Sequence, residues 1–336
     1  MRTPSISRRH FVGGVAAASV VGCSSMSPQA TPDFRYRLGL SQPLDSPNYI
    51  RLKEMADRIH ADTRGRMQID LFPQSRLGND SVMIGMLQKG ELEMYMGGNV
   101  FGPLVPVTEM PGLPFTFKNS ADVFTALDGE LGEYIRAELL AKGIYAFRLG
   151  FDNGFHQLTT STKPIRTVDD LVGMTIRTPV QKMTVDFFES IGAKPKTFTL
   201  NRLYEVLKDR TVDAQTDPLQ IIVLLKLNEV QTYLSITNHW WSGFTLTANP
   251  QVWKALPADI QAVVARHADA AALAQRRDVE RLDASAVELL KGKGMIVNTT
   301  DTSGFRKHLG AFYARWRGIY GNKAWALLEA RVGKLA

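Results

Sequence analysis

Apolar positions along this 336-residue chain change spacing repeatedly, from every second residue to every third or fourth and back. Residues 36–40 alternate and predict a strand. Residues 48–63 place Ile50, Leu52, Met55, Ala56 and Ile59 roughly along one helical face. Residues 66–72 alternate again and stop at Pro73, residues 80–89 return to helix, and residues 91–96 to strand before Gly97 and Gly98. This βαβαβ rhythm argues for an α/β domain with a largely parallel sheet.

A second unit of the same kind starts near residue 155. It reads as a turn at 169–173, a short strand at 174–177 and a helix from Pro179 onward. Residues 201–208 are helical, 213–218 close a strand before another helix, and 244–248 form a further strand. From Pro257 no Pro or Gly appears until Gly292. A continuous helix there would measure about 50 Å at 1.5 Å per residue, longer than one small domain, so it is expected to brace both.

Composition adds that the chain is globular, with 44% hydrophobic and 22% charged residues, and its length suits about two domains. Arg2, Arg8 and Arg9 precede the apolar run 11–22, and no acid accompanies them. That run is shorter than the ~20 residues of a membrane span and has the layout of a secretory signal. Ser7-Arg8-Arg9-His10-Phe11-Val12 resembles the twin-arginine export motif. Val20-Val21-Gly22-Cys23 resembles a bacterial lipobox, whose thiol is acylated; the alternative is an incidental cysteine in a plain signal. Residues 23–34 read as a tether. Loss of 1–22 lowers the net charge from +7 to about +4, and no Lys/Arg stripe with interleaved aromatics follows, so nucleic acid is not an expected partner.

Familiar catalytic signatures are missing: no HExxH, no GxSxG, no GxGxxG after a strand, no P-loop. His60, His156, His239, His267 and His308 show no metal-ligand spacing, and a single cysteine forms no internal disulfide. No cofactor is expected. Asp213 and Asp217 could be a general acid and base, but such pairs are commonly solvated groups, and the enzyme reading has no positive support.

Seven segments nevertheless stand in a recognisable order. They are Phe72-Pro-Gln-Ser-Arg-Leu-Gly78, Gly90-Glu-Leu-Glu-Met94, Gly112-Leu-Pro-Phe115, Asp152-Asn-Gly-Phe-His-Gln157, Leu171-Val-Gly-Met-Thr-Ile-Arg-Thr-Pro179, Val212-Asp-Ala-Gln-Thr-Asp-Pro218 and Leu234-Ser-Ile-Thr-Asn-His239. Together they resemble the solute-binding proteins of tripartite ATP-independent periplasmic (TRAP) transporters, of the C4-dicarboxylate-binding type, over roughly residues 35–330. The resemblance implies a two-lobed α/β periplasmic binding protein fold, with a hinge and a long helix spanning both lobes. The division expected is 1–22 signal, 23–34 tether, 35–154 plus 243–282 first lobe, and 155–242 plus 283–336 second lobe. It implies capture of an organic acid between the lobes and delivery to membrane permease subunits. The protein is then periplasmic, held to a membrane by lipid on Cys23, and not an enzyme. Two alternatives share the pocket: a periplasmic enzyme acting on a small carboxylic acid through Asp213, Asp217 or His156, and a ligand sensor.

The resemblance also implies site residues. Arg177 matches the arginine that clamps the ligand carboxylate, although an arginine at a strand end is more often a structural ion pair. Dicarboxylate binders typically carry a second arginine where this chain has His156, and commonly asparagine where it has Asp217. If both line the pocket, its charge is lower by one to two units than the dicarboxylate pattern. That favours a monocarboxylate, hydroxy or sugar acid, or zwitterion. Alternatively Asp217 pairs with a neighbouring cation or holds a metal that bridges to the ligand. Gln157 is expected among the ligand contacts, and Ser41, Gln42 and Asn99 match ligand-touching positions, these three also readable as turn residues satisfying their own backbone. Leu200 matches an aromatic or apolar wall position. Trp240 and Trp241 sit near the inter-lobe crossing, where one could stack on ligand and at least one is expected to be structural.

Overall fold

The computed structural model describes residues 31–335, so the expected leader, Cys23 and most of the tether lie outside the described residues. Its strands are β1 (Phe34–Leu40), β2 (Met67–Phe72), β3 (Met94–Gly97), β4 (Tyr145–Ala146), β5 (Phe151–Thr160), β6 (Thr175–Thr178), β7 (Lys194–Thr197), β8 (Ala214–Pro218), β9 (Tyr233–Ile236), β10 (Trp241–Ala248) and β11 (Ile296–Thr299). Their lateral order is β2-β1-β3-β10-β5-β8-β6-β7, with β4 beside β10, β9 beside β5 and β11 beside β9.

Each lobe contains a parallel triplet, β2-β1-β3 in the first and β8-β6-β7 in the second. These are the two βαβ units that the spacing predicts. The sheet as a whole is mixed, however, because β5 and β10 run antiparallel to one another and to β8 and β3 respectively. The reason is connectivity. Within a lobe, helical crossovers return the chain in the same direction. β5 and β10 instead carry it from one lobe to the other: β10 pairs with β3 and β4 at one end and with β5 at the other, and β5 pairs with β10 at one end and with β8 and β9 at the other.

The first helix, Pro47–Asp62, starts where Ser46 accepts the Tyr49 N–H and Pro47 takes the first position, and it buries Leu52, Met55, Ala56 and Ile59. Ile50 lies outside that stripe and is exposed. The second helix, Asp80–Lys89, is capped by Asn79 and ends on Gly90 in the left-handed conformation. β3 begins three residues later than the alternation suggests, because Glu93 turns to accept from the backbone and side chain of Arg37.

The long helix Ala258–Gly292 has 35 residues, about 52 Å. Its first half packs Ile260, Val264, Ala268 and Ala272 into the core under β1 and the first helix. Its second half packs Ala286 and Leu290 into a separate core with Leu203, Leu207 and Ile222. Between the two, the Gln275 amide accepts the Asp152 N–H at 2.8 Å and donates to the Asp152 carbonyl at 2.7 Å, fixing β5 to the helix.

β5 and β10 approach closely where a bulge falls between Ser242 and Gly243. A Cβ on Gly243 would lie 2.1 Å from the Trp241 ring and 2.6 Å from the Phe151 carbonyl oxygen. Gly243→Ala is therefore expected to destabilise the protein by about 1–3 kcal/mol in urea denaturation. Gly318→Ala, at an exposed position of the helix Leu309–Tyr320 with nothing within 4 Å of the added carbon, is expected to stabilise by about 0.5–1 kcal/mol. A neutral Gly243→Ala would remove close approach as a constraint on the crossing.

Candidate functional site

Parallel strands end together, and their C-terminal edges are where α/β sheets present side chains to ligands. In the second lobe β6 ends with Arg177 and Thr178, and its neighbour β8 with Asp217 and Pro218. β5 runs back along β8, so that Gln157 faces Asp217 and His156 faces Pro218 in the register. Residues 40 apart in sequence thereby meet: Arg177 Nη1 donates to Asp217 Oδ2 at 2.9 Å. The pair is almost wholly enclosed, with side-chain exposures of 2% and 8%.

Arg177 Nε donates to the Phe198 carbonyl at 3.0 Å, which fixes the plane of the guanidinium. Its Nη2 edge makes no hydrogen bond among the described residues. Burial pushes the Asp217 carboxyl up to about 6, with the Arg177 charge opposing that rise. Burial likewise pulls Arg177 below its ordinary value, opposed by Asp217. Desolvation thus outweighs the attraction of the pair.

His156 is uncharged. Burial holds its imidazole well below the usual histidine range, with His239 and Arg177 acting in the same direction. Its ring is strung between hydroxyls, Nε2 to Ser242 at 2.8 Å and Nδ1 to Thr216 at 3.1 Å. Thr216 continues to His239 Nε2 at 2.9 Å, and His239 Nδ1 to Thr237 at 2.6 Å. Burial lowers His239 to about 3. Above pH ~6 the net charge of Arg177, Asp217 and His156 is therefore zero, two units below an arginine pair with asparagine.

Gln157 is committed elsewhere. Its Oε1 accepts the Thr237 and Asn238 N–H groups and its Nε2 donates to Asn238, which secures the loop before β10. Trp240 packs among His156, Phe187, Phe188 and His239, and Trp241 donates its indole N–H to Asp152 at 2.7 Å; both are buried. Leu200 opens a helical turn, Leu200–Arg202, half-buried against the Leu203 core. In the first lobe Ser41 and Gln42 follow β1, and Asn99 opens the turn after β3. Ser41 donates to Asp80, which also accepts from Tyr95. Gln42 is buried with its Oε1 lacking a hydrogen-bond partner. No hydrogen bond or ion pair joins Ser41 or Gln42 to Arg177, Asp217 or His156 among the described residues.

Sequence reasoning did not single out Thr216, Ser242, Thr237 or the Phe198 carbonyl. Thr216 stands beside Asp217 in a motif already noted, so its neighbourhood carried a signal; a main-chain acceptor carries none. Asp213 does not pair with Asp217. It accepts from the Thr175 hydroxyl at 2.6 Å, at the opposite end of a strand that separates the two acids by about 13 Å.

Two α/β lobes that share crossing strands and a spanning helix, with polar side chains at the strand ends, define a periplasmic binding protein. The sequence profile of bacterial extracellular solute-binding protein, family 7, matches residues 38–318, and the chain belongs to that family. It is 30% identical over 312 residues, 92% of either chain, to the 2,3-diketo-L-gulonate-binding periplasmic protein YiaO of Escherichia coli (strain K12). It is 25% identical over 295 residues, 88% of this chain and 92% of the relative, to the sialic acid-binding periplasmic protein SiaP of Vibrio cholerae. A TRAP periplasmic solute-binding protein from Polaromonas sp. JS666, crystallised with D-erythronate, superposes with a TM-score of 0.82 at 29% identity, covering 88% of this chain and 98% of that one. The chain is the solute-binding protein of a TRAP transporter, a family of transport rather than of catalysis.

The raised carboxyl of Asp217 fixes a sign. Below pH ~4 folded and unfolded chains both hold its proton; between ~4 and 6 only the folded chain does; above 6 neither does. This group's contribution to stability therefore falls by roughly 3 kcal/mol as pH rises from 4 to 6, then levels off. Denaturation of the ligand-free protein across that range is expected to show the slope in wild type and its loss in Asp217→Asn.

Proposed function

We propose that the protein captures an organic acid with one carboxylate and several hydroxyl or N–H groups, and passes it to the permease subunits of its transporter. The observation carrying this reading is the buried Arg177–Asp217 pair beside an uncharged His156. The unused Nη2 edge of Arg177 suits a ligand carboxylate, since a guanidinium offers parallel donors on each edge. Ionised Asp217 only accepts, so it calls for a hydroxyl or N–H on the ligand. A second carboxylate would meet no second cation and would face Asp217.

Three relatives support this choice, since 2,3-diketo-L-gulonate, sialic acid and D-erythronate each carry a single carboxylate on a polyoxygenated skeleton, whereas others are named for C4-dicarboxylates. In this reading the lobes 35–154 plus 243–282 and 155–242 plus 283–336 close on the acid, and the unpaired Gln42 Oε1 receives a ligand hydroxyl from the first lobe. The ~13 Å between Asp213 and Asp217 supports binding without acid–base chemistry. Export by the leader and acylation of Cys23 would keep the protein at the membrane near its permease. Cys23→Ser is expected to end incorporation of labelled palmitate in cells; undiminished labelling would remove the anchor.

Thermal shift against sugar acids, hydroxy acids, amino acids, zwitterions and C4-dicarboxylates tests the ligand class, because a ligand specific to the folded state raises Tm. Stabilisation by polyhydroxy monocarboxylates with silent dicarboxylates is the expected result; a dicarboxylate hit would overturn the charge argument. For the ligand so found, Arg177→Ala should lose about thirty- to several-thousand-fold in affinity, corresponding to ~2–5 kcal/mol. Arg177→Lys should be damaging too, because a point charge does not replace the fork. His156→Arg combined with Asp217→Asn should weaken that ligand and improve succinate.

A further inference from the structure

A carbonyl oxygen only accepts hydrogen bonds, so a chain of hydroxyls and neutral rings that ends on one has its direction fixed. The chain around His156 ends on two. At its inner end the Thr237 hydroxyl donates to the main-chain carbonyl of His156 at 3.4 Å. Its one proton is thereby spent, and at 2.6 Å it accepts from His239 Nδ1. A neutral ring protonated at Nδ1 has a bare Nε2, which accepts from Thr216 at 2.9 Å. Thr216 in turn accepts from His156 Nδ1 at 3.1 Å, and the bare His156 Nε2 accepts from Ser242 at 2.8 Å.

The outer end agrees. Gln220 Nε2 lies 2.8 Å from the main-chain carbonyl of Asn153, which requires the amide nitrogen there and not the oxygen. The same Nε2 donates to Asn153 Oδ1 at 3.1 Å, so Asn153 turns its own Nδ2 to Ser242 and donates to that hydroxyl at 2.9 Å. Ser242 accepts from Asn153 and passes its proton inward to His156. His156, Thr216, Thr237 and His239 are buried, whereas Ser242 and Asn153 are half-buried. The Ser242 oxygen keeps one lone pair and Asn153 keeps one N–H, side by side at the exposed end of the chain. β6, β8, β5 and β10 are lateral neighbours, so Arg177, Asp217, His156 and Ser242 stand on four successive strands.

We propose that Ser242 and Asn153 form a subsite for one hydroxyl of the ligand, and that the one-way chain behind them, with His156 and His239 both protonated at Nδ1, sets its polarity. The ligand hydroxyl donates to Ser242 and accepts from Asn153. A carboxylate, which only accepts, would meet the Ser242 lone pair instead. Ser242 and Asn153 then determine specificity at the end of the ligand away from Arg177, and Gln220, Thr216, Thr237 and His239 are positioning residues. The ligand half rests on the polyhydroxy acid proposed above; the ring protonation does not. Burial, which keeps both rings uncharged, leaves each with the single proton that the chain needs.

The test has two arms. In the first, histidine rings of the ligand-free protein are labelled with nitrogen-15, and the two rings that stay neutral in mild acid are read for their protonated nitrogen. Both are expected to carry the proton on Nδ1. Asn153→Asp removes the N–H and gives Ser242 a carboxylate to donate to, so the chain should reverse and both rings should move their proton to Nε2. In the second arm, affinity is measured for the acid found by thermal shift and for its analogues lacking one hydroxyl each. Ser242→Ala should weaken the parent acid roughly tenfold, the value of one hydrogen bond, and should leave one deoxy analogue unaffected. Asn153→Asp should single out the same analogue, which covers the case of a Ser242→Ala protein that does not fold. Rings protonated at Nε2 in wild type, or a loss equal for the parent and every analogue, would overturn the proposal even with a monocarboxylate ligand. A dicarboxylate ligand would instead overturn the reading of the site and its hydroxyl subsite together, with the ring protonation unchanged.

Discussion

The pairing of β5 with β10 is the constraint on which the rest of the molecule depends. β5 gives residues 151–155 to β10 and 156–160 to β8 and β9, so one strand ties both sheets together. Ladder hydrogen bonds and the Gln275 amide hold this strand against sliding. Relative movement of the lobes must then concentrate where the ladder is interrupted, at the Ser242/Gly243 bulge and at Gly154, whose φ of 100° removes it from ordinary strand geometry. His156 follows Gly154 by two residues. The segment that bends and the segment that touches the site are consequently one stretch of backbone, and a change of angle at the hinge re-aims the wall of the pocket.

Electrostatics in the enclosed site follow from the same compactness. Exposed pairs such as Arg35–Asp70 and Lys53–Asp57 are well hydrated and contribute little. Arg177–Asp217 is different, because its desolvation exceeds its attraction and both partners move toward neutrality. Stability alone would favour apolar residues there. A buried pair that weakens the fold while leaving Nη2 of the guanidinium unbonded is an incomplete assembly, and the ligand carboxylate proposed above would supply the missing part.

Much of the scaffold is legible in the sequence where local rules suffice. Ser46 with Pro47, Asn79 and Gly90 mark helix ends by their own chemistry, and the absence of Pro and Gly between Pro257 and Gly292 marks the long helix. β5 resists the same reading. Asp152, His156, Gln157, Thr159 and Thr160 are all buried, held by hydrogen bonds instead of apolar contact, so no hydrophobic alternation announces a ten-residue strand. The Arg177–Asp217 contact depends on the β6–β8 register, which no local pattern encodes. Gln157, a motif residue matched to a ligand contact, also holds the loop before β10, a role invisible without the positions of Thr237 and Asn238.

The histidine in place of a second arginine has a further consequence. An arginine at 156 would put two guanidinium groups in one enclosed space with only Asp217 between them. A neutral imidazole offers one donor and one acceptor, which is what a chain of hydroxyls requires: Ser242, His156, Thr216, His239 and Thr237 satisfy one another in sequence. Burial is what holds both rings neutral, His239 down to about 3, and for His156 the neighbouring His239 and Arg177 act in the same direction. In the proposed site, exclusion of a second carboxylate would be built into the wall and would not titrate in the neutral range. Among Arg177, Asp217 and His156 it is Asp217 whose carboxyl is raised to about 6, so under that proposal pH would tune how strongly a single carboxylate is held without altering how many are admitted.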